Sequence, residues 1–307
     1  MPTPPAPTPA PPPEATPAAP SPVAGAEPAP GAGASASASA SASAEPTPSP
    51  AAAVEPSPEP APAVSIRGLT KRFKKFTAVD DLTLEVARGE VFGFLGPNGC
   101  GKTTTIRMLT GSIAPSAGTA EVLGVDVVNH PELVRPRIGY MSQKFSLFSD
   151  MSVDENLAFY AGVYGVEGEQ FAQRRDEVLA MSELGDRTRE LPRNLSVGMR
   201  QRLALGVATI HRPEVLFLDE PTGGVDPVAR RAFWDLLYGL AETGVTLFVT
   251  THYMEEVSNC TRMAFMYAGR LVADDAPRHI RSAMATPENP HPSIEDVFVT
   301  LVERHGA

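Results

Sequence analysis

The segment Gly96-Pro97-Asn98-Gly99-Cys100-Gly101-Lys102-Thr103-Thr104 constrains what this chain can fold into more than any other part of it. Its first eight residues fit the pattern G-x-x-x-x-G-K-[ST]. The apolar run Val91-Phe92-Gly93-Phe94-Leu95 before it predicts a strand, and residues 104–109 after it predict a continuing helix. Strand, glycine turn and helix start make an arrangement that binds phosphate. Backbone N–H groups at the helix start point at the anion, and the helix dipole favours its negative charge. Gly96 and Gly101 let the backbone bend and approach closely without a Cβ. Lys102 is then expected to reach the β- and γ-phosphates of a nucleotide, and the Thr103 hydroxyl to ligate Mg2+.

Composition divides the chain unequally. Residues 1 to about 63 are almost only Pro, Ala, Ser, Gly and Glu, and hold 20 of the 32 prolines. Such a segment has too little apolar area to offset its ordering entropy, so a disordered, extended tail is expected. It starts with neither a basic stretch nor an apolar run, and no secretory leader is expected. From residue 64 on, the composition is that of a globular protein. The tail's five Glu supply half of the net charge of −10, and the remainder is also acidic. That argues against sequence-independent nucleic-acid binding, which needs a basic surface. No apolar run approaches the roughly 18 to 20 residues that span a bilayer, so the chain is expected not to cross a membrane by itself. The two cysteines, Cys100 and Cys260, define no disulfide framework and suit a reducing compartment.

Residues 65–70 and 82–86 alternate as half-buried strands. Val215-Leu216-Phe217-Leu218 and Val245-Thr246-Leu247-Phe248-Val249 are continuously apolar, as central parallel strands are. Helical patterns between them predict an α/β core. Residues 145–210 read instead as a helical insertion. Ser152-Val153-Asp154-Glu155 opens a helix through about Tyr164 with a capping box, and helices are expected over 171–184 and 199–210. The 215–218 strand ends in Asp219-Glu220. Carboxylates at that edge of a sheet are placed to hold Mg2+ (Asp219) and to polarise an attacking water (Glu220).

With Leu195-Ser196-Val197-Gly198-Met199-Arg200-Gln201-Arg202 added, the chain resembles the ATP-binding-cassette ATPases over about residues 65 to 280. The resemblance implies a P-loop NTPase (RecA-like) α/β core with an N-terminal antiparallel β-subdomain and an inserted α-helical subdomain. The expected organisation is a tail over 1–63, the ATPase domain over 64–280 and an extension over 281–307. Gly96 to Thr103, with Thr104, is similar to the Walker A loop. Gln143 stands at the Q-loop and is implied as a Mg2+ ligand beside Thr103 and Asp219. Ser196 and Gly198 are similar to the signature residues that cap ATP held by a second subunit. Asp219 and Glu220 match the Walker B aspartate and catalytic glutamate. Asp226 lies in the D-loop, and His252 is similar to the switch histidine. Phe73 stands where the family stacks an aromatic on adenine, although Phe76 is close by and either ring is also a candidate for the core.

Two departures stand out, the signature and the D-loop, which has Gly223-Gly224 where Ser-Ala or Gly-Leu pairs are more common in the family. The family's usual signature is Leu-Ser-Gly-Gly-Gln, and here Val197 and Met199 replace the first glycine and the glutamine. A β-branched residue would strain any positive-φ geometry there. Gly223 to Pro227, residues 248–254 and residues 293–298 resemble the drug-resistance and multidrug-export branch of ABC-2-type transporters. That resemblance implies ATP and Mg2+ as cofactors, a homodimer or heterodimer of ATPase subunits, and a separate transmembrane permease that holds this chain at the cytoplasmic face of the membrane. A soluble ATPase of the same superfamily acting on ribosomes or DNA, and a non-hydrolysing nucleotide-gated module, are the competing readings. A thiol near a helix N-terminus, as at Cys100, can also have a lowered pKa.

Overall fold

The computed structural model describes residues 61–144 and 146–305. The disorder expected over 1–63 therefore lies outside the described residues up to residue 60, as does Phe145, whereas Ala63 is buried and its amide donates to the Val86 carbonyl at 2.8 Å. The order of elements is β1 (Val64–Phe73), β2 (Phe76–Val86), β3 (Val91–Leu95), α1 (Lys102–Leu109), β4 (Ala117–Val122), β5 (Val125–Asp126), α2 (Pro131–Val134) and β6 (Ile138–Met141). There follow α3 (Val153–Val163), α4 (Gly168–Ser182), α5 (Val197–Thr209), β7 (Val215–Asp219), α6 (Pro227–Glu242) and β8 (Thr246–Thr251). The chain closes with β9 (Arg262–Tyr267), β10 (Arg270–Asp275), α7 (Pro277–Ala283) and α8 (Ile294–His305).

Two sheets organise these elements. A four-stranded antiparallel sheet has the order β2-β1-β4-β5. A six-stranded sheet has the order β10-β9-β3-β8-β7-β6. Its strands from β9 to β6 run parallel, and β10 is an antiparallel edge. Every residue of β3, β7 and β8 is buried, as their unbroken apolar runs predict. The first two expected strands are longer than their alternation suggested, because β1 and β2 pair as one hairpin down to Phe73 and Phe76.

The strand order decides where the functional segments meet. Leu95 pairs with Thr251, Asp219 with Thr250 and Met141 with Leu218. The segments after β3, β8, β7 and β6 therefore leave along one carboxyl edge, where ligands of open α/β sheets bind.

The insertion packs as its own helical cluster. Val153, Leu157, Val178, Leu179, Leu203 and Val207 from α3, α4 and α5 share one apolar core. The predicted capping box is present: Glu155 N donates to Ser152 Oγ, and Ser152 N donates to Glu155 Oε2. Helix α5 starts at Val197, two residues before its expected start, because the Ser196 hydroxyl caps it by accepting from Met199 N at 3.2 Å. Helix α4 likewise begins early, at Gly168.

The boundary expected at residue 280 falls inside α7. Beyond it, Val297 and Leu301 of α8 are buried with Leu95, Val257, Met263 and Phe265. Helix α8 thus covers the β9 side of the parallel sheet.

Candidate nucleotide site

The turn from β3 into α1 is held by close backbone approaches. A Cβ on Gly96 would lie 2.3 Å from the Met266 carbonyl oxygen, and one on Gly101 would lie 2.3 Å from that of Ala78. Gly101 also has φ +115°. Only glycine fits both constraints there. Gly101 brings no side-chain cap to α1, whose first turn carries no acidic residue. Its N-terminus is therefore open to an anion, with Pro97, Asn98 and Gly99 forming the partly exposed rim and Thr104 following on the helix. Cys100 is buried, and burial pushes its thiol pKa up. The lowered value expected of a helix N-terminus is not found, because desolvation outweighs the nearby Lys102 charge.

Lys102 is 4% exposed. Its Nζ donates to the carbonyls of Gly96 at 2.7 Å and Pro97 at 3.2 Å, and lies 3.2 Å from Glu220 Oε1. Asp219 Oδ1 accepts from the Thr103 hydroxyl at 3.1 Å and the Thr250 hydroxyl at 2.8 Å. Asp219 Oδ2 is buried without a hydrogen-bond partner, and desolvation raises the carboxyl pKa.

Glu220 sits where the chain turns away from β7, at φ +49°. That is the left-handed region, which a non-glycine residue adopts only when its surroundings hold it. Here the Glu220 amide donates to both the carbonyl and the hydroxyl of Thr250, at 3.1 and 3.0 Å. The carboxylate is thereby aimed back at the loop. Gln143 Nε2 donates to Glu220 Oε2 at 2.9 Å, and His252 Nδ1 lies 3.1 Å from the same oxygen.

The structure thus gathers Gly96, Pro97, Lys102, Thr103, Gln143, Asp219, Glu220 and His252 into one cluster. It does not bring Ser196, Gly198, Asp226 or Phe73 to it. Ser196 caps α5, and Gly198 abuts Ala229 of α6. Asp226 caps α6, accepting from Val228 and Ala229 N at 3.0 Å each. Phe73 and Phe76 are 47% and 60% exposed at the tip of the β1–β2 hairpin, so neither belongs to the core. Val197 is the first residue of α5 and is absent from the positive-φ residues, so the strain expected of its β-branch does not arise.

Three contributors were not legible in the sequence. Thr250 ties Asp219 to Glu220, which only the pairing of β7 with β8 reveals. Gln201 is fully buried in α5, and its Nε2 donates to the Pro221 carbonyl beside Glu220. Glu256 is 1% exposed and accepts from the Thr222 hydroxyl. Position 201 is a polar residue inside an otherwise apolar helix face, the one local signal available.

The residues fit a nucleotide with Mg2+. The unpartnered Asp219 Oδ2 and the Thr103 hydroxyl supply hard oxygen donors, and Mg2+ takes one or two carboxylates together with substrate phosphates. Among the described residues no group of three or more His, Cys, Asp or Glu could hold a metal ion, so the protein offers only part of such a shell. A separate cavity of about 580 Å³ lies near the opposite end of the strands, beside Glu214 and Thr246, and shares no residue with the cluster.

A family profile described as "ABC transporter" matches residues 79–223. The probable multidrug ABC transporter ATP-binding protein YbhF of Escherichia coli (strain K12) is 42% identical over 243 residues, 78% of this chain. The match spans only 41% of that relative's length. The Nod factor export ATP-binding protein I of Ralstonia nicotianae is 39% identical over 218 residues, covering 71% of this chain and 68% of the relative. The daunorubicin/doxorubicin resistance ATP-binding protein DrrA of Streptomyces peucetius is 37% identical over 224 residues, covering 73% and 68%. A solved ATP-binding subunit of an ABC transporter superposes with a TM-score of 0.70 at 25% identity, covering 78% of this chain and 99% of its own. A bacterial ABC transporter cassette solved as a dimer gives 0.64 at 25% identity, with 69% and 98% covered.

Proposed function

This chain belongs to the ABC transporter family of ATPases, and from that membership we propose that it binds and hydrolyses Mg-ATP to drive a separate ABC-2-type transmembrane permease, as an exporter subunit. The observation that carries the hydrolytic reading is the convergence of Gln143 and His252 on one oxygen of Glu220, with Lys102 on the other. A carboxylate that accepts from Gln143 and is closely approached by Lys102 and His252, in a strained turn, is a positioned base. Export finds support in the names of the drug-resistance and Nod-factor relatives.

Lys102 exchanges its Gly96 and Pro97 carbonyl partners for the β- and γ-phosphate oxygens. Thr103, Asp219 and Gln143 would hold Mg2+, which when bound neutralises charge on the phosphates. Glu220 Oε2 accepts a proton from the attacking water, whose oxygen bonds the γ-phosphorus as the bond to the ADP oxygen breaks. His252 and Gln143 orient that carboxylate. Phe73 stacks on the adenine from the hairpin tip. Ser196 and Gly198, at the open end of α5, cap the ATP held by a second copy or a related subunit, with Asp226 beside them at the start of α6. No nucleic acid is involved, and the subunit sits at the cytoplasmic membrane face through its permease.

The test is to express the chain with its permease candidate, isolate membranes and wash them with high salt. Retention on the membrane only with the permease, together with ATPase activity lost in Lys102→Ala, is expected. Activity without any membrane association favours the soluble ribosome- or DNA-acting reading. ATP binding without turnover favours the nucleotide-gated module.

A further inference from the structure

Arg230 lies one helical turn into α6, its amide donating to the Asp226 carbonyl at 2.9 Å. Its guanidinium carbon is 4.3 Å from the centre of the Tyr253 ring. That ring is 4.1 Å from the ring of His252, tilted by 35°. The same guanidinium lies 3.7 Å from Glu256 Oε1, the oxygen that accepts from the Thr222 hydroxyl. Glu255, 90% exposed, makes only a peripheral contact with it at 3.7 Å. One side chain therefore touches two segments that both lead to Glu220. One runs through Tyr253 and His252, and the other through Glu256 and Thr222, two residues beyond Glu220 itself.

We propose that Arg230 is a positioning residue for hydrolysis, holding the His252 ring on Glu220 through Tyr253 and holding the Glu220 turn through Glu256. A cation over an aromatic face is attracted by the ring quadrupole, and the attraction strengthens when both are desolvated. The guanidinium is planar and stacks, so a lysine is no substitute. Because Arg230 shares the first turn of α6 with Asp226, movement of the D-loop would reach His252 through two packed contacts, Arg230 on Tyr253 and Tyr253 on His252. This rests on the ATPase reading above, and its test separates the two.

The experiment compares Arg230→Gln, Tyr253→Leu and Tyr253→Phe, with the exposed neighbour Arg231→Gln as control. Arg231 makes no ion pair among the described residues. Steady-state ATPase and the histidine ring resonances of the nucleotide-free chain are both read, His252 being assigned by His252→Gln. Arg230→Gln and Tyr253→Leu are expected to lower kcat on the order of tenfold at little-changed KM, the scale of a small misplacement of a catalytic group. Both also move the His252 resonance. Tyr253→Phe keeps the ring and restores what Tyr253→Leu loses, and Arg231→Gln changes neither readout. In a His252→Ala background, Arg230→Gln changes the residual single-turnover rate much less than in the wild type. An unmoved His252 resonance, or an equal loss of rate in both backgrounds, overturns the proposal. If Arg230→Gln does not fold, the Tyr253 pair decides by the same readouts. If the wild-type chain hydrolyses no ATP, the ATPase reading fails and the resonances alone decide.

Discussion

His252 and Glu220 face one another across the ends of two adjacent parallel strands, with His252 Nδ1 3.1 Å from Glu220 Oε2. They are brought there by β7 and β8, paired in register from Val215–Thr246 to Asp219–Thr250. The contact exists because each residue begins the loop after its strand, with β8 running one residue past the Asp219–Thr250 pair. Gln143 completes it from β6, on the far side of β7.

Replacing Glu220 by Gln is expected to leave ATP binding intact and to slow turnover by roughly 10² to 10⁴, the usual worth of a positioned general base. The amide keeps the shape of the side chain but cannot take the proton. The variant should accumulate as an ATP-bound dimer in gel filtration. Turnover near the wild-type rate would remove Glu220 from its role.

Thr250 is buried, and its hydroxyl donates to Asp219 while accepting from the Glu220 amide. Thr250→Val strips both bonds without changing the volume much. The Glu220 amide keeps the Thr250 carbonyl and Asp219 Oδ1 keeps the Thr103 hydroxyl, so the loss is that of two ordinary hydrogen bonds, about 0.5–1.5 kcal/mol each, and the melting temperature should fall and turnover should slow together. Thr250→Ser should recover most of each. A Val variant that melts and turns over like the wild type would show that the carboxylates hold themselves.

His211 is half-buried, stacks on Tyr164 with ring centres 3.6 Å apart and meets the Ile138 carbonyl through Nε2 at 2.9 Å. Burial, aided by the nearby Arg174 charge, lowers its pKa below the ordinary 6.5. The unfolded chain therefore binds the proton first as pH falls. His211 contributes stability above pH 6.5 that is lost as pH drops towards its folded pKa. His211→Phe, which keeps the stacking, is expected to flatten the fall in melting temperature between neutral pH and about pH 5.5, a range set by the ordinary His pKa. An unchanged acid-side slope would assign that loss to other groups.

Phe148 is 38% exposed and packs edge-to-face on the exposed Phe159 ring at 4.7 Å, while Leu147 is turned partly into the core. If the chain docks on a permease as proposed, Phe148 is the exposed one of the two to receive a helix of it. Phe148→Asp is expected to abolish co-purification with the permease while the ATPase activity of the isolated chain survives. Retention of the complex would place the contact elsewhere.

Much of the site was readable before any fold was known, because its elements are local. The loop ending in Lys102-Thr103, the capped helix at Ser152 and the acidic strand end at Asp219-Glu220 each depend on neighbours within a few residues. The fold class followed from the buried runs of β7 and β8, whose composition allows no exposed face. Phe73 was readable as an aromatic near the loop, but its freedom from the core depended on where the hairpin tip lies.

The sequence by itself determined which chemical groups are available and which short segments present them. The tertiary structure decided which of those groups share one carboxylate. Gln143 reaches Glu220 across 77 residues, and Thr250 reaches Asp219 across 31, through a strand order that no local pattern encodes. It also decided the state of individual groups. Burial raised the Cys100 thiol where a helix N-terminus alone would lower it. The Ser196 cap drew Val197 into an ordinary helical conformation. The bonds from Thr250 meet the Glu220 amide in a backbone conformation that its own residue type disfavours. Register, desolvation and strain are properties of what surrounds a residue in space, and they arise only when distant parts of the chain come into contact.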